Sequence, residues 1–149
     1  MDFVKHTMLF FHLFGLAIWF GSLIAVVICV LSLRNPSISA EAKQILNKFQ
    51  LRFTIIGNVG AFMLLISGFV LFTMSGHHEI WVDLMAGIGG GMCVFSLIAL
   101  TAQSNLLSGR VRKNNFDRLL TSQIGLLNFS SWFVMVGIVI VLLLVSYKP

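Results

Sequence analysis

The fold class of this chain is decided by the stretch MLFFHLFGLAIWFGSLIAVVICVLSL, residues Met8–Leu33, which contains no Asp, Glu, Lys or Arg. An α-helix needs about 20 predominantly apolar residues to cross the hydrocarbon core of a bilayer. Three further stretches meet this requirement, so the predicted spans are about 8–33, 53–74, 81–102 and 124–146. The pattern predicts an all-α polytopic membrane protein, with residues 1–149 forming a single four-helix transmembrane bundle.

The composition excludes a soluble globular domain. Of the 149 residues, 58% are hydrophobic and 10% are charged, whereas soluble domains carry about 25% charged residues. The net charge of +5 does not indicate nucleic-acid binding, because most basic residues lie in two connections beside the apolar runs. Cys29 and Cys93 lie inside apolar runs, which favours buried free thiols over a disulfide or a metal pair.

The basic residues predict the orientation of the chain. Connections 34–52 and 103–123 each contain four Lys or Arg residues, whereas the connection 75–80 contains none. By the positive-inside rule, the two basic connections face the cytoplasm. We therefore expect a multi-pass protein of the inner (cytoplasmic) membrane with both termini on the outer side. We also expect helix two to begin near Ala40, with Ser39 as its cap.

His12 is the strongest candidate for a functional residue. Ionisable side chains within a span are rare, and they usually face the interior of a bundle. The helical face of His12 also carries Gly15, Trp19 and Ser22, two of which are small enough for a neighbouring helix to approach closely. We assign Trp19 to helix packing or to the surroundings of a cofactor.

Two further histidines are expected at the level of His12. Helix two returns to this level, and His77 and His78 follow directly after it. Axial histidines from bundle helices are a common way to hold haem b. The predicted ligands of a haem or metal are therefore His12 together with His77 or His78.

The start of helix three lies at the same membrane level. Asp83 either fixes a histidine tautomer or caps the helix, and the cap is the favoured interpretation. Gly87, Gly90 and Gly91 form a seam that permits the close approach of a neighbouring backbone or of the flat face of a macrocycle. Helix packing is the simpler of these two explanations.

The second and fourth helices contain polar residues inside their spans. We expect these residues to form interhelical hydrogen bonds. They are Asn58, Asn128, Ser130 and Ser131.

The string HLFGLAIWFGSLI, His12–Ile24, resembles the opening of the CopD-type and HemJ-type four-helix membrane proteins, in which a histidine precedes Trp-x-Gly. Arg52–Phe53, the SGFVLF string at 67–72 and the closing Lys148–Pro149 are similar to further features of these proteins. The resemblance implies a b-type haem with His12 among its ligands.

The chain also departs from the HemJ-type protoporphyrinogen oxidases. They typically carry Tyr-x-Pro-Arg where this chain has Gly21–Ile24, a lysine where it has Asp83, and Asn-Glu-x-Pro where it has Asn128–Ser131. The departures favour a relative that keeps the fold and haem binding without porphyrinogen oxidation.

Three functions from different classes fit these observations. The first is a b-type haem protein for electron transfer or membrane redox chemistry, which would be a membrane-bound oxidoreductase if it is an enzyme. The second is copper uptake or handling by histidine and methionine groups. The third is a non-catalytic accessory subunit of a larger membrane complex. The expected partners are membrane lipid and a membrane redox partner or quinone, and the glycine seam is compatible with a homodimer.

Overall fold

The computed structural model describes residues 2–74, 80–113 and 118–146. The α-helices are α1 (Asp2–Leu33), α2 (Ala40–Met74), α3 (Ile80–Phe95), α4 (Thr101–Arg112) and α5 (Arg118–Ser146). A π-helical segment, Ser96–Leu100, joins α3 to α4, so these three elements form one continuous third span. The predicted all-α class is confirmed, since no strand occurs in the described ranges.

The predicted transmembrane bundle is also confirmed. Helices long and apolar enough to cross a membrane cover Phe3–Leu33, Ala40–Met74, Val82–Arg112 and Thr121–Leu144. They are longer than the predicted spans because the helical backbone continues past the apolar residues into polar turns.

The start of α2 lies at Ala40, as predicted. The Ser39 side-chain oxygen accepts a hydrogen bond from the Ala42 N–H at 3.3 Å, and the Ser39 carbonyl accepts one from the Lys43 N–H at 3.0 Å. The first bond satisfies a backbone donor that has no partner within the helix, and the second is the first i→i−4 bond of the helix itself. Glu41 lies in the same turn, where a negative charge complements the helix dipole. The helix therefore begins more than three turns before its apolar part.

The spans form a closed ring in which each packs against the next, and α5 returns to α1. The contact between α1 and α2 is the most extensive, while α2 also packs against α4 and the third span packs against α5. We call the end of the bundle with connections 34–39 and 113–118 the basic end. The opposite end, with the start of α1, the end of α2 and the start of α3, is called the terminal end.

The interior and the outer surface of the ring are both apolar. Val30, Leu107, Leu127 and Val134 have no exposed surface, and they belong to one continuous core cluster. The outer surface is formed by phenylalanine, isoleucine, leucine and valine side chains, many of them about half exposed. An apolar outer surface of this extent requires lipid around it. The chain is therefore a multi-pass membrane protein.

Glycines bring α1 and α2 into backbone contact. A Cβ atom added to Gly60 would lie 2.7 Å from the Trp19 backbone nitrogen and 2.8 Å from the Gly15 carbonyl oxygen. A Cβ at Gly57 would lie 3.1 Å from the Ser22 Cβ. Small residues permit such close packing between membrane helices, where van der Waals contact drives association. The predicted packing role of Gly15 and Ser22 is confirmed.

Candidate functional site

His12 lies on the face of α1 that packs against α2, and its side chain is half-buried. The His12 Nδ1 atom lies 3.2 Å from the Ser67 Oγ atom. The single hydroxyl proton of Ser67 is donated to the Met63 carbonyl oxygen at 2.7 Å. A Ser67 hydroxyl that donates to Met63 can only accept from the ring, so this arrangement matches a His12 ring with its proton on Nδ1. This leaves a lone pair on Nε2, which is the form of imidazole that binds a metal.

Gly68 leaves the room that the imidazole ring occupies. A Cβ atom at Gly68 would lie 3.0 Å from the His12 Cε1 atom and 3.4 Å from its Nδ1 atom. The adjacent residues Ser67 and Gly68 thus have complementary roles, because one binds the ring and the other gives it space. The string SGFVLF, which suggested a family resemblance, supplies both residues.

The other histidines add no described ligand beside His12. His77 and His78, the predicted second ligands, lie outside the described residues. His6 lies on α1 with an exposed side chain. In the part of the chain that the structure describes, no group of three or more His, Cys, Asp and Glu side chains could hold a metal ion. The described site therefore consists of one imidazole and its supporting residues.

Trp19 packs in the interior, with 2% of its surface exposed. Its Nε1–H group donates a hydrogen bond to the Ser96 Oγ atom at 3.0 Å. Ser96 is the first residue of the π-helical segment, so this bond joins α1 to the middle of the third span. The predicted packing role of Trp19 is confirmed, and the hydrogen bond adds a specific partner.

The glycine seam of α3 does not pack as predicted. No atom of another described residue lies within 4 Å of a Cβ built on Gly87, Gly90 or Gly91. The third span is the least buried of the membrane spans. Its contact with α5 uses Gly137, where an added Cβ would lie 2.5 Å from the Met92 Cε atom. No neighbouring helix therefore packs closely on the α3 glycines in the described part of the chain, and the approach of a macrocycle face to this seam stays a prediction.

Asp83 lies within the first described turn of α3, whose backbone is already helical at Ile80. The residues before Ile80 lie outside the described residues, so the cap stays a prediction. A carboxylate in this turn still stabilises the helix, because it faces the positive end of the helix dipole. The role of Asp83 toward a histidine ring stays a prediction, since His77 and His78 lie outside the described residues.

Cys29 and Cys93 are buried free thiols, as predicted, and Cys93 belongs to the apolar core cluster. The interhelical hydrogen bonds predicted inside the spans are confirmed in part. Asn58 donates to Thr101 at 2.8 Å, and Ser130 accepts from Gln103 at 3.1 Å. Ser131 instead donates to the Leu127 carbonyl of its own helix.

Sequence reasoning missed most of a polar contact between α2 and α4. The Gln50 amide nitrogen donates to the Ser104 Oγ atom at 2.7 Å, and Thr54 lies within 3.1 Å of the same hydroxyl. Asn47 donates to Ser108 one turn nearer the basic end. The spacing of Asn47, Gln50, Thr54 and Asn58 along one helical face is the signal that could have revealed it.

No protein-family model matches the chain, and neither a curated protein nor a solved structure matches it. The functional argument therefore rests on the chain's own residues.

Proposed function

We propose that this chain is an integral membrane b-type haem protein, with His12 as an axial ligand at the terminal end of the bundle. The observation that carries the proposal is the hydrogen bond between His12 Nδ1 and Ser67. With Ser67 as the acceptor, this bond would hold the imidazole in the orientation and tautomer that a metal ligand needs. A merely solvated histidine near the membrane surface would not need a partner from a neighbouring helix.

The described residues beside His12 suit the support of an axial histidine ligand. Ser67 would hold the ring and make Nε2 a stronger electron-pair donor to a metal. Gly68 places no side chain against the edge of the ring. His77 or His78 is the proposed second ligand on the sequence argument alone. A bound haem would supply one-electron chemistry. The chain's own contribution is to orient the ligand and to surround it with apolar side chains.

The proposed setting is the inner membrane, with the basic connections in the cytoplasm and the termini on the outer side. His12 then lies toward the outer surface, within reach of a membrane redox partner or a quinone. Electron transfer is the proposed activity because one-electron chemistry is what a bound haem supplies.

An absorption spectrum tests the proposal. The wild-type protein, purified from haem-replete cells, should show the Soret band of a bound haem. His12→Ala should weaken or shift this band, because the metal loses an axial ligand. The matched control is His6→Ala, since His6 lies on the same helix with an exposed side chain. This variant should keep the wild-type spectrum.

Three outcomes would contradict the proposal. A colourless wild-type protein from haem-replete cells would exclude haem as the resident cofactor. Stoichiometric copper without haem would favour copper handling. Co-purification with other membrane subunits, together with full tolerance of His12→Ala, would favour an accessory subunit.

A further inference from the structure

Hydroxyl and amide side chains line the contact between α2 and α4. Three hydrogen bonds cross this contact from successive turns of α4: Asn47 to Ser108 at 3.0 Å, Gln50 to Ser104 at 2.7 Å, and Asn58 to Thr101 at 2.8 Å. Thr54 contacts both Gln50 and Ser104. We call these side chains the polar seam, and they are Asn47, Gln50, Thr54 and Asn58 on α2 with Thr101, Ser104 and Ser108 on α4.

The polar seam lacks hydrogen-bond donors. Gln50 has no exposed surface and Asn47 is 5% exposed. Their side-chain oxygens, Gln50 Oε1 and Asn47 Oδ1, are buried and have no hydrogen-bond partner among the described residues. Their amide nitrogens are already bonded to the serine hydroxyls of α4. A buried acceptor without a donor is costly in a membrane interior. These two oxygens could therefore accept hydrogen bonds from a bound molecule that donates them.

The seam opens at the basic end and closes in the middle of the bundle. Ser108, near the basic end, is partly exposed, whereas Ser104, one turn further in, is 1% exposed. At the inner end lies a cavity of about 10 Å³, which is about the room that one water molecule needs. Polar side chains of both the seam and its surroundings line this cavity, namely Trp19, Ser22, Thr54, Asn58 and Ser96.

The chemistry of the seam selects its occupant. Its ligating atoms are neutral hydroxyl and amide oxygens, and no carboxylate belongs to it, so it does not offer the charged oxygens that a divalent cation prefers. Water fits, because it donates two hydrogen bonds to the unpartnered oxygens and accepts one from a hydroxyl. A chain of such waters would connect the basic end with the central cavity.

We propose that the polar seam is a hydrated half-channel, in which water enters from the basic end and reaches the cavity beside Trp19. This inference does not depend on haem binding, since the seam and His12 share no side chain. Under this proposal, water and the protons that it carries enter the middle of the membrane span through the basic half of the bundle. Between the cavity and His12, the close contact of Gly15 with Gly60 ends the polar path.

Thiol hydrogen exchange tests the proposal without a bulky reagent. Ser104→Cys places a thiol in the seam with little change in side-chain size, in a Cys29→Ala, Cys93→Ala background. Infrared spectroscopy then follows the conversion of S–H to S–D after the protein, reconstituted in lipid vesicles, is transferred to D2O. The native Cys93 of the wild-type chain is the matched control, because it has no exposed surface and belongs to the apolar core cluster.

The Ser104→Cys thiol should exchange at least about tenfold faster than the thiol of Cys93, because water reaches it without opening of the bundle. Exchange as slow as that of Cys93 would overturn the proposal. Repeating the measurement with NaCl or KCl in place of N-methylglucamine chloride should leave the rate unchanged. Suppression by either salt would identify a bound alkali cation and would also overturn it.

A second variant keeps the test available if Ser104→Cys does not fold. Ser96→Cys places the thiol at the central cavity, where the native side chain is 2% exposed. It should also exchange at least about tenfold faster than Cys93. Slow exchange at Ser96→Cys would show that water does not reach the cavity and would contradict the half-channel.

Discussion

Helix α2 makes two kinds of contact, one in each half of the bundle. Toward the terminal end it packs against α1 through Gly60, which directly contacts backbone atoms of Gly15 and Trp19. Toward the basic end it packs against α4 through the amides and hydroxyls of the polar seam. The first contact excludes water by close approach, whereas the second leaves buried oxygens without donors.

The difference shows that one membrane helix can combine a dry contact and a polar contact. In the dry half, the association of α1 with α2 depends on van der Waals contact between small residues. The side chain of His12 contacts Ser67 and Gly68 of α2 in this half. An ionisable side chain at such a contact inside a membrane span is what makes His12 the candidate ligand.

The largest effect is expected from Gly60→Ala, which would break the dry contact. The new Cβ would lie within 3 Å of backbone atoms of α1, which cannot move aside as a flexible side chain can. Overpacking of this kind destabilises a fold by about 1–3 kcal/mol. Unfolding in mixed detergent micelles measures the change in the free energy of unfolding.

Gly21→Ala is the matched control for Gly60→Ala. Gly21 lies on α1, and no described residue of another helix has an atom within 4 Å of its built Cβ. The substitution should be neutral or stabilise the helix by up to about 1 kcal/mol, because alanine has the higher helix propensity. Equal losses in the two variants would mean that the helices do not touch at Gly60.

Ser67→Ala tests the polar pair within the dry half. Loss of a residue that orients a ligating histidine typically lowers metal affinity by about 10- to 100-fold. The variant should therefore release haem more readily than the wild type, as measured by haem transfer to an apo-globin acceptor. Ser32→Ala is the control, because the Ser32 hydroxyl bonds to the Ile28 carbonyl of its own helix. Unchanged haem retention in Ser67→Ala would show that Ser67 does not support a haem ligand.

Trp19→Phe probes the junction between the two halves. The variant keeps an aromatic ring in the core but removes the Nε1–H donor to Ser96. A lost buried hydrogen bond costs about 0.5–1.5 kcal/mol of unfolding free energy. Trp132→Phe, at a position 49% exposed on the outer surface, should change stability less. If both variants lost the same stability, the cost would come from aromatic packing and not from the Ser96 bond.

The smallest expected effect belongs to the polar seam. A double-mutant cycle with Gln50→Leu and Ser104→Ala should give a coupling energy of about 0.6 kcal/mol, the average for hydrogen bonds between membrane helices. The comparison cycle pairs Gln50→Leu with Ser130→Ala, because Ser130 bonds to Gln103 instead. That pair should be additive within about 0.5 kcal/mol. Additivity at Gln50 and Ser104 would argue against a direct bond.

The face of α1 could be predicted from the sequence because α1 is a continuous α-helix. His12, Gly15, Trp19 and Ser22 recur at helical spacing, and the structure confirms that the last three are buried. The start of α2 could also be predicted from the sequence, since Ser39 is a strong capping residue ahead of a helical pattern. Local chemistry and periodicity were sufficient for both.

The polar seam could not be predicted in the same way because of the π-helical segment. Its wider turn adds a residue within Ser96–Leu100 and rotates α4 relative to α3. The faces of Thr101 and Ser104 therefore cannot be extrapolated from the residues of α3. The glycines show a related limit, because the conspicuous run at 89–91 stays open while the isolated Gly57 and Gly60 make the close contact.

The central claim is that Ser67 holds His12 with the proton on Nδ1 and leaves Nε2 free to bind a metal. Nitrogen-15 NMR of histidine-labelled protein in lipid bilayers, prepared without haem, reports the tautomer directly, and His12→Ala assigns the signal. We predict a neutral ring with a protonated Nδ1 and an unprotonated Nε2. A ring protonated on Nε2 would contradict the account, because Ser67 would then donate to Nδ1 and the proposed ligand atom would carry a proton.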